Sequence, residues 1–335
     1  MPGSFIPNIT ALARGLRERG DAFTFVVIPI AGATWHDDVR AAGATLVVAE
    51  SARQVYDAIV TARPDVIHTH FLGLTVPATF AAWRTGARLF WHLHTGQSRP
   101  MNALRRLRGS LRYRLLGGRA QRFVTVSRSL ADELAGWGVD GGKTIVINNA
   151  IDTARFRPPT SAEREEHRER LGLAAGERAY LFFGRDTYYK GTDVLLDALD
   201  DRPALTVVAV GLPDETRSAL EERVRTVALE RVADPRKLYW AVDGLLMPSR
   251  FESAPYTLME ALACALPAAV SDIPPMRELA DRISSVRFAT RESAPALSRA
   301  MSELPEAGAS AMLDSATLER FSLQRWVRDV LSLYS

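Results

Sequence analysis

Four stretches of this chain combine residue types that could do chemistry. In Phe183-Gly184-Arg185-Asp186-Thr187-Tyr188-Tyr189-Lys190-Gly191-Thr192-Asp193, a strand-like run ends at Phe183 and a helical pattern begins near Gly191. Two fixed cations, Arg185 and Lys190, beside a helix N-terminus suit a diphosphate, because both the side-chain charges and the end of the helix dipole favour an anion. The plain alternative is a solvated loop with two surface cations. Lysine is scarce, however: of 42 basic residues only Lys143, Lys190 and Lys237 are lysine. A lysine kept among so many arginines is more informative than usual, since the compact ammonium and the planar guanidinium are not physically equivalent.

The second stretch, Phe251-Glu252-Ser253-Ala254-Pro255-Tyr256-Thr257-Leu258-Met259-Glu260, leads from a loop into the helical run Leu258–Ala265. Glu252 is expected in the loop and Glu260 in the first helical turn, so the two carboxylates can face one cleft at different depths. Carboxylates are good acceptors for sugar and ribose hydroxyls. For Glu260 the competing reading is a capping box, Thr257-Leu258-Met259-Glu260, in which the carboxylate only satisfies a backbone N–H. The third stretch, Val146-Ile147-Asn148-Asn149-Ala150-Ile151-Asp152, is a strand end followed by an Asn/Asp turn. The fourth, Leu93-His94-Thr95-Gly96, closes the strand Arg88–His92 and is expected to turn His94 toward the cleft between two domains; the alternative is a satisfied structural histidine.

These residues need rigid elements behind them. Strand-like runs fall at Phe23–Ile28, Thr45–Val48, Asp65–His68, Arg88–His92, Phe123–Val126, Thr144–Ile147, Ala179–Phe183, Leu205–Val210, Gly244–Met247 and Pro267–Val270. Most lack polar alternation, as strands covered on both faces do. Helical patterns lie between them, among them Ile9–Arg19, Ser127–Trp137, Thr192–Leu199 and Pro213–Val224. Strand–helix alternation predicts an α/β chain with doubly wound, Rossmann-like parallel sheets. The prolines of Phe156-Arg157-Pro158-Pro159-Thr160 interrupt it, and the charged segment Glu163–Arg170 follows. We place a first domain at 1–155, a second at 156–317 and a C-terminal helix at 318–335 that crosses back to the first domain. The chain enters a helix almost at once, so the strand that normally precedes such a helix at the centre of the sheet is expected to lie upstream of Met1, the alternative being a domain that lacks its central strand.

Composition narrows the function classes. With 335 residues, two domains are the natural expectation. A net charge of +3 gives no reason to expect a nucleic-acid partner. The single cysteine, Cys264, lies in an apolar run, reads as a small core residue and fits a reducing cytoplasm. No secretory signal opens the chain and no apolar run approaches the ~18 residues of a membrane span. No Gly-x-Gly-x-x-Gly follows any strand, which argues against a dinucleotide dehydrogenase.

Taken together, Arg185…Lys190-Gly191, Glu252-x7-Glu260, Asn149-Ala150-Ile151-Asp152 and Ser271-Asp272-Ile273…Glu278-Leu279 resemble the retaining GT-B glycosyltransferases of family 4. The resemblance runs from Pro2-Gly3 to the final helix with Trp326 and Tyr334. It implies two Rossmann-like domains and sugar transfer from a nucleotide-diphosphate sugar, with retention and without a metal ion or other cofactor. Arg185 and Lys190 would hold the donor diphosphate, Glu260 the ribose, and Glu252 the sugar hydroxyls. Ser253, Ala254, Pro255, Tyr256, Thr257 and Leu258 would add backbone contacts to phosphate and sugar. His94 would meet the transferred sugar, Asn149 would border the donor site, and Gly3 would let its loop approach the diphosphate. Ser253 departs from the family's usual glycine, as does Ala265 before Leu266-Pro267, and Ala150 is an accepted variant. No two aspartates are separated by one residue, so the metal-binding Asp-x-Asp of the other transferase architecture is missing.

The acceptor expected from the resemblance is a sugar or lipid-linked glycan in cell-surface polysaccharide or glycolipid assembly. In Met101–Leu116, Met101, Leu104, Leu107, Leu111 and Leu115 share one helical face among arginines. Such a helix can lie on anionic lipid, placing a cytoplasmic protein at the inner membrane face, or it can pack its leucines on the sheet. The rival functions are a non-catalytic nucleotide-sugar-binding protein and a GT-B epimerase or phosphorylase.

Overall fold

The computed structural model describes residues 5–30, 32–96, 103–185, 187–200, 204–230, 232 and 234–335, with backbone only for 103–108. The chain divides into two compact units, Met1–Ile151 with Phe321–Ser335, and Asp152–Arg320.

The first unit runs α1 (Ile6–Glu18), β1 (Thr24–Val27), α2 (His36–Ala41), β2 (Thr45–Val48), α3 (Ala52–Ala62), β3 (Val66–His70), α4 (Thr75–Thr85), β4 (Arg88–Leu93), α5 (Ala103–Leu115), β5 (Arg122–Thr125), α6 (Arg128–Gly136) and β6 (Thr144–Val146). All its strand pairs are parallel, in a two-stranded sheet β1-β2 and a four-stranded sheet β3-β4-β5-β6. Among the described residues no strand joins β1 to β3. β4 is buried from Leu89 to Leu93, which explains why all of that run but His92 is apolar or aromatic. Side-chain caps set where helices begin: the Ser51 and Ser127 hydroxyls accept from the backbone N–H of Gln54 and Leu130.

The second unit runs α7 (Ser161–Arg170), β7 (Ala179–Phe183), α8 (Thr192–Leu199), β8 (Thr206–Val210), α9 (Asp214–Glu221), β9 (Arg225–Leu229), α10 (Arg236–Ala241), β10 (Gly244–Met247), α11 (Tyr256–Ala263), β11 (Ala268–Ser271), α12 (Pro274–Ala280), β12 (Val286–Ala289), α13 (Ala294–Ser302) and α14 (Ser315–Phe321), whose last residue belongs to the first unit. Its six strands form one parallel sheet in the order β12-β11-β10-β7-β8-β9. Tyr180, Phe182, Leu195, Leu199, Val207 and Leu297 share its core. The order reverses between β7 and β10, and such a switch point opens a crevice at the strand carboxyl ends.

α15 (Leu323–Ser332) is packed into the first unit. It buries Trp326 and Val330, and Arg325 donates to the carbonyls of Asn148 and Asn149, each at 3.0 Å.

Two features differ from the sequence expectation, and a third adds to it. The strands β9 and β12 were not anticipated. Both are edge strands, and β9 follows directly on the helical pattern Pro213–Val224, which ends early at Glu221. The charged segment Glu163–Arg170 is part of helix α7, which starts in a reciprocal cap: Thr160 Oγ1 accepts from Glu163 N at 3.2 Å, and the Glu163 carboxylate accepts from Thr160 N at 2.8 Å. Thr160→Ala is expected to lower the stability of this unit by about 1 kcal/mol, read as a shift in the urea midpoint at constant slope. Finally, the capping box proposed for Thr257 and Glu260 does not form. α11 begins one residue before Thr257 with Pro255 as its N-cap, which puts Glu260 in the second turn.

Candidate active site

Lys190 and Glu252 meet at the switch point. Lys190 closes the loop after β7, and Glu252 stands in the loop after β10. Lys190 Nζ donates to Glu252 Oε1 at 2.6 Å, and the fully buried Ser249 hydroxyl donates to the same oxygen at 3.0 Å. Both charged groups are only partly buried, so they hold each other in position while staying within reach of a ligand. A small cavity beside them is lined by Phe183, Lys190, Met247, Ser249 and Thr257 together with Phe182 and Leu246.

The loop is braced from outside. Gly191 takes the left-handed conformation, φ 65° and ψ 40°, as the N-cap of α8. Arg250 donates to the Tyr188 carbonyl at 2.9 Å and to Asp193 at 2.7 Å, and its Nε bonds Glu292 at 2.6 Å. Arg185 is exposed on the same loop and forms no ion pair with Glu252 or Glu260.

Glu260 lies deeper, 6 % exposed, and its Oε2 accepts from the Tyr239 hydroxyl at 2.8 Å. Burial pushes its carboxyl up to about 7, opposed by the Tyr239 hydrogen bond and by Arg155. Burial likewise pushes the Tyr239 and Tyr256 hydroxyls above the usual tyrosine range, and the Tyr256 hydroxyl is buried without a partner. Ser253, Ala254, Tyr256 and Thr257 are partly exposed, whereas Pro255 and Leu258 are buried.

A carboxyl whose folded-state value is raised from 4.5 to about 7 contributes stability that is complete below pH 4.5 and is lost as pH rises toward 7. Glu260→Gln keeps an acceptor for Tyr239 and removes that burden. The variant is expected to be more stable than the parent at pH 8, by up to about 3 kcal/mol, and no more stable at pH 4. Urea unfolding at the two pH values checks this. A gap between the two proteins that does not change with pH would mean that Glu260 is ionised without penalty.

His94 and Asn149 belong to the first unit; Gly3 lies outside the described residues. Asn149 is 4 % exposed, and His94 is 8 % exposed. His94 Nε2 sits 3.0 Å from His70 Nδ1, within a stack that also holds His68 and His92. Burial lowers all four imidazoles well below 6.5, so they are neutral at pH 7. The sequence reading singled out His94 alone. The missed signal was the doublet His68-x-His70 opposite His92-x-His94, because a spacing of two on paired strands puts every ring on one face. Ser249, Tyr239 and Arg250 carry no motif and emerge only from the fold.

The chain as a whole is similar to known proteins. The family model described as Glycosyltransferase Family 4 matches residues 9–155, and the one described as Glycosyl transferases group 1 matches residues 163–311. The D-inositol 3-phosphate glycosyltransferase of Geodermatophilus obscurus is 29 % identical over 260 residues, covering 69 % of this chain and 57 % of that protein. The one from Jonesia denitrificans is 34 % identical over 157 residues, covering 41 % and 37 %. The aligned part therefore spans between about a third and three-fifths of these relatives. In fold, the chain matches a glycosyltransferase from Rickettsia africae with TM-score 0.80 at 18 % identity, over 100 % of this chain and 95 % of that one. It also matches Anabaena HepE in complex with UDP and glucose, with TM-score 0.78 at 18 % identity, over 100 % and 96 %. With consecutive family models on its two units and the GT-B fold throughout, the chain belongs to the family 4, group 1 glycosyltransferases.

Proposed function

We propose that this protein transfers a sugar from a nucleotide-diphosphate sugar to an acceptor, with retention at the anomeric carbon and without a metal in the transfer step. The observation that carries the reading is the Lys190–Glu252 pair at the β7/β10 switch point, with the buried Glu260 carboxyl on the helix behind it. The hard step is departure of the nucleoside diphosphate, as negative charge builds on the leaving phosphate. A cation already held in place stabilises that charge with little reorganisation, and we assign this to Lys190, with Arg185 beside it. Glu252 is the acceptor for hydroxyls of the donor sugar, and Glu260 for those of the ribose. Backbone N–H groups of Ser253, Ala254, Tyr256, Thr257 and Leu258 complete the donor site. His94 is assigned to the transferred sugar, and Asn149 and Gly3 to the donor border, from the family resemblance.

UDP is the first nucleotide to test, since it occupies the similarly folded HepE. The relatives' name makes a phosphorylated polyol one acceptor to try. A lipid-linked glycan in cell-surface assembly at the inner membrane face is the other. It is supported by α5, where Leu111 and Leu115 are 51 % and 64 % exposed rather than packed on the sheet, beside the exposed Arg114. Met101, Leu104 and Leu107 of that expected stripe lie outside the described side chains. No helix among the described residues is long and apolar enough to cross a membrane.

The test incubates the protein with UDP-, GDP- and ADP-glucose and each acceptor class, and follows products by mass. An acceptor heavier by one hexose, with an equal amount of nucleoside diphosphate released, supports transfer. An isomerised donor without acceptor would make it an epimerase, and binding without turnover a nucleotide-sugar-binding protein.

A further inference from the structure

We propose that His68, His70 and His92 bind one divalent transition-metal ion of the zinc class. The strand geometry builds the site. His68 and His70 are two apart on β3 and so face the same way, and His70 and His92 are Cα partners in the β3–β4 ladder. One ring nitrogen from each of the three lies within 4.8 Å of the other two. Tetrahedral zinc with nitrogen bonds of about 2.0–2.1 Å needs ligand atoms roughly 3.4 Å apart. The rings have only to tilt out of their stack, because the backbone register already brings them together.

The nitrogens have a reason to make that move. His92 is fully buried, and both of its ring nitrogens lack a hydrogen-bond partner; His68 Nε2 is buried without one as well. Buried polar atoms left unpaired are rare, and an ion or an ordered water is what normally satisfies them. The remaining contacts act as outer supports. The Tyr334 hydroxyl lies 2.6 Å from His68 Nδ1, and His94 Nε2 lies 3.0 Å from His70 Nδ1. Partners on the second ring nitrogen fix the tautomer of a ligating imidazole and its orientation. The donor set selects the ion: three neutral imidazoles suit zinc, cobalt, nickel or copper, whereas magnesium and calcium need oxygen ligands. His68 and His70 are partly buried and His92 is fully buried, so the ion would be held largely away from solvent. The site lies wholly within the first unit and stands whether or not the transferase reading holds.

The experiment uses the full chain, stripped of metal with EDTA and returned to chelator-free buffer. Zn²⁺ alone is titrated in competition with a chromophoric chelator, and Co²⁺ is added in parallel to read the visible absorption of a low-symmetry nitrogen site. The expected result is one equivalent bound, a rise in unfolding temperature with Zn²⁺ and none with Mg²⁺. In His92→Phe and, separately, His68→Gln, affinity is expected to fall at least a hundredfold. The phenylalanine keeps a ring in the stack and removes both unpaired nitrogens, and if it does not fold, the His68 variant decides alone. Failure to bind Zn²⁺, or binding that survives these substitutions, overturns the proposal.

Discussion

Lys190→Ala is expected to lower kcat/KM for donor turnover by on the order of a hundred- to a thousandfold, the usual cost of deleting one preorganised group that stabilises a leaving charge. The fold should be nearly untouched. Lys190 and Glu252 form a partly exposed pair, and Glu252 keeps the Ser249 hydroxyl at 3.0 Å when the ammonium is gone. The stability change is therefore about 1 kcal/mol or less. Lys190→Arg restores the charge, but its planar fork cannot take the place of a compact ammonium 2.6 Å from Glu252 without moving that carboxylate, so recovery should be partial. Steady-state kinetics of the three proteins, with urea midpoints alongside, separates charge from geometry. Near-normal turnover in folded Lys190→Ala would remove Lys190 from the phosphate role.

Gly191→Ala is expected to produce a large loss of stability from a single methyl group. At φ 65° an L side chain costs about 1–2 kcal/mol by itself. An added Cβ would also stand 2.0 Å from the Pro248 carbonyl oxygen and 3.0 Å from its carbon. Those are backbone atoms at the end of β10, next to Ser249, so relief requires moving the segment that presents Glu252. A total of roughly 3 kcal/mol or more follows, together with loss of donor binding. The control is Gly176→Ala in the same unit, where φ is 75° and nothing lies within 4 Å of the added carbon. It should show the conformational cost alone. Equal urea midpoints for the two variants would mean that the contact with Pro248 does not constrain the loop.

The sequence made the central strands legible because burial on both faces leaves them almost wholly apolar, as in Ala179–Phe183 and Gly244–Met247. The edge strands β9 and β12 were hidden because a strand covered less completely keeps its polar residues; Arg225 and Arg287 sit within them. Lys190 and Glu252 stood out by residue type and by place after a strand, although 62 residues separate them in sequence. What stayed hidden was the partner that Glu260 takes. Its spacing from Thr257 reads as a cap, and only the start of α11 at Tyr256 turns it inward toward Tyr239. The histidine stack was visible as two His-x-His doublets but became a cluster only through the β3–β4 register.

The most direct test of a donor site at the β7/β10 switch point needs no acceptor. It is thermal unfolding of the protein with UDP, GDP and ADP in turn, repeated in Lys190→Ala. A ligand at about 100 times its dissociation constant stabilises the native state by roughly 2.7 kcal/mol. The expected result is a clear rise in unfolding temperature with one of the three diphosphates, reduced or lost in the folded variant. No rise with any of them, or a rise that Lys190→Ala leaves unchanged, would contradict a diphosphate site built around Lys190.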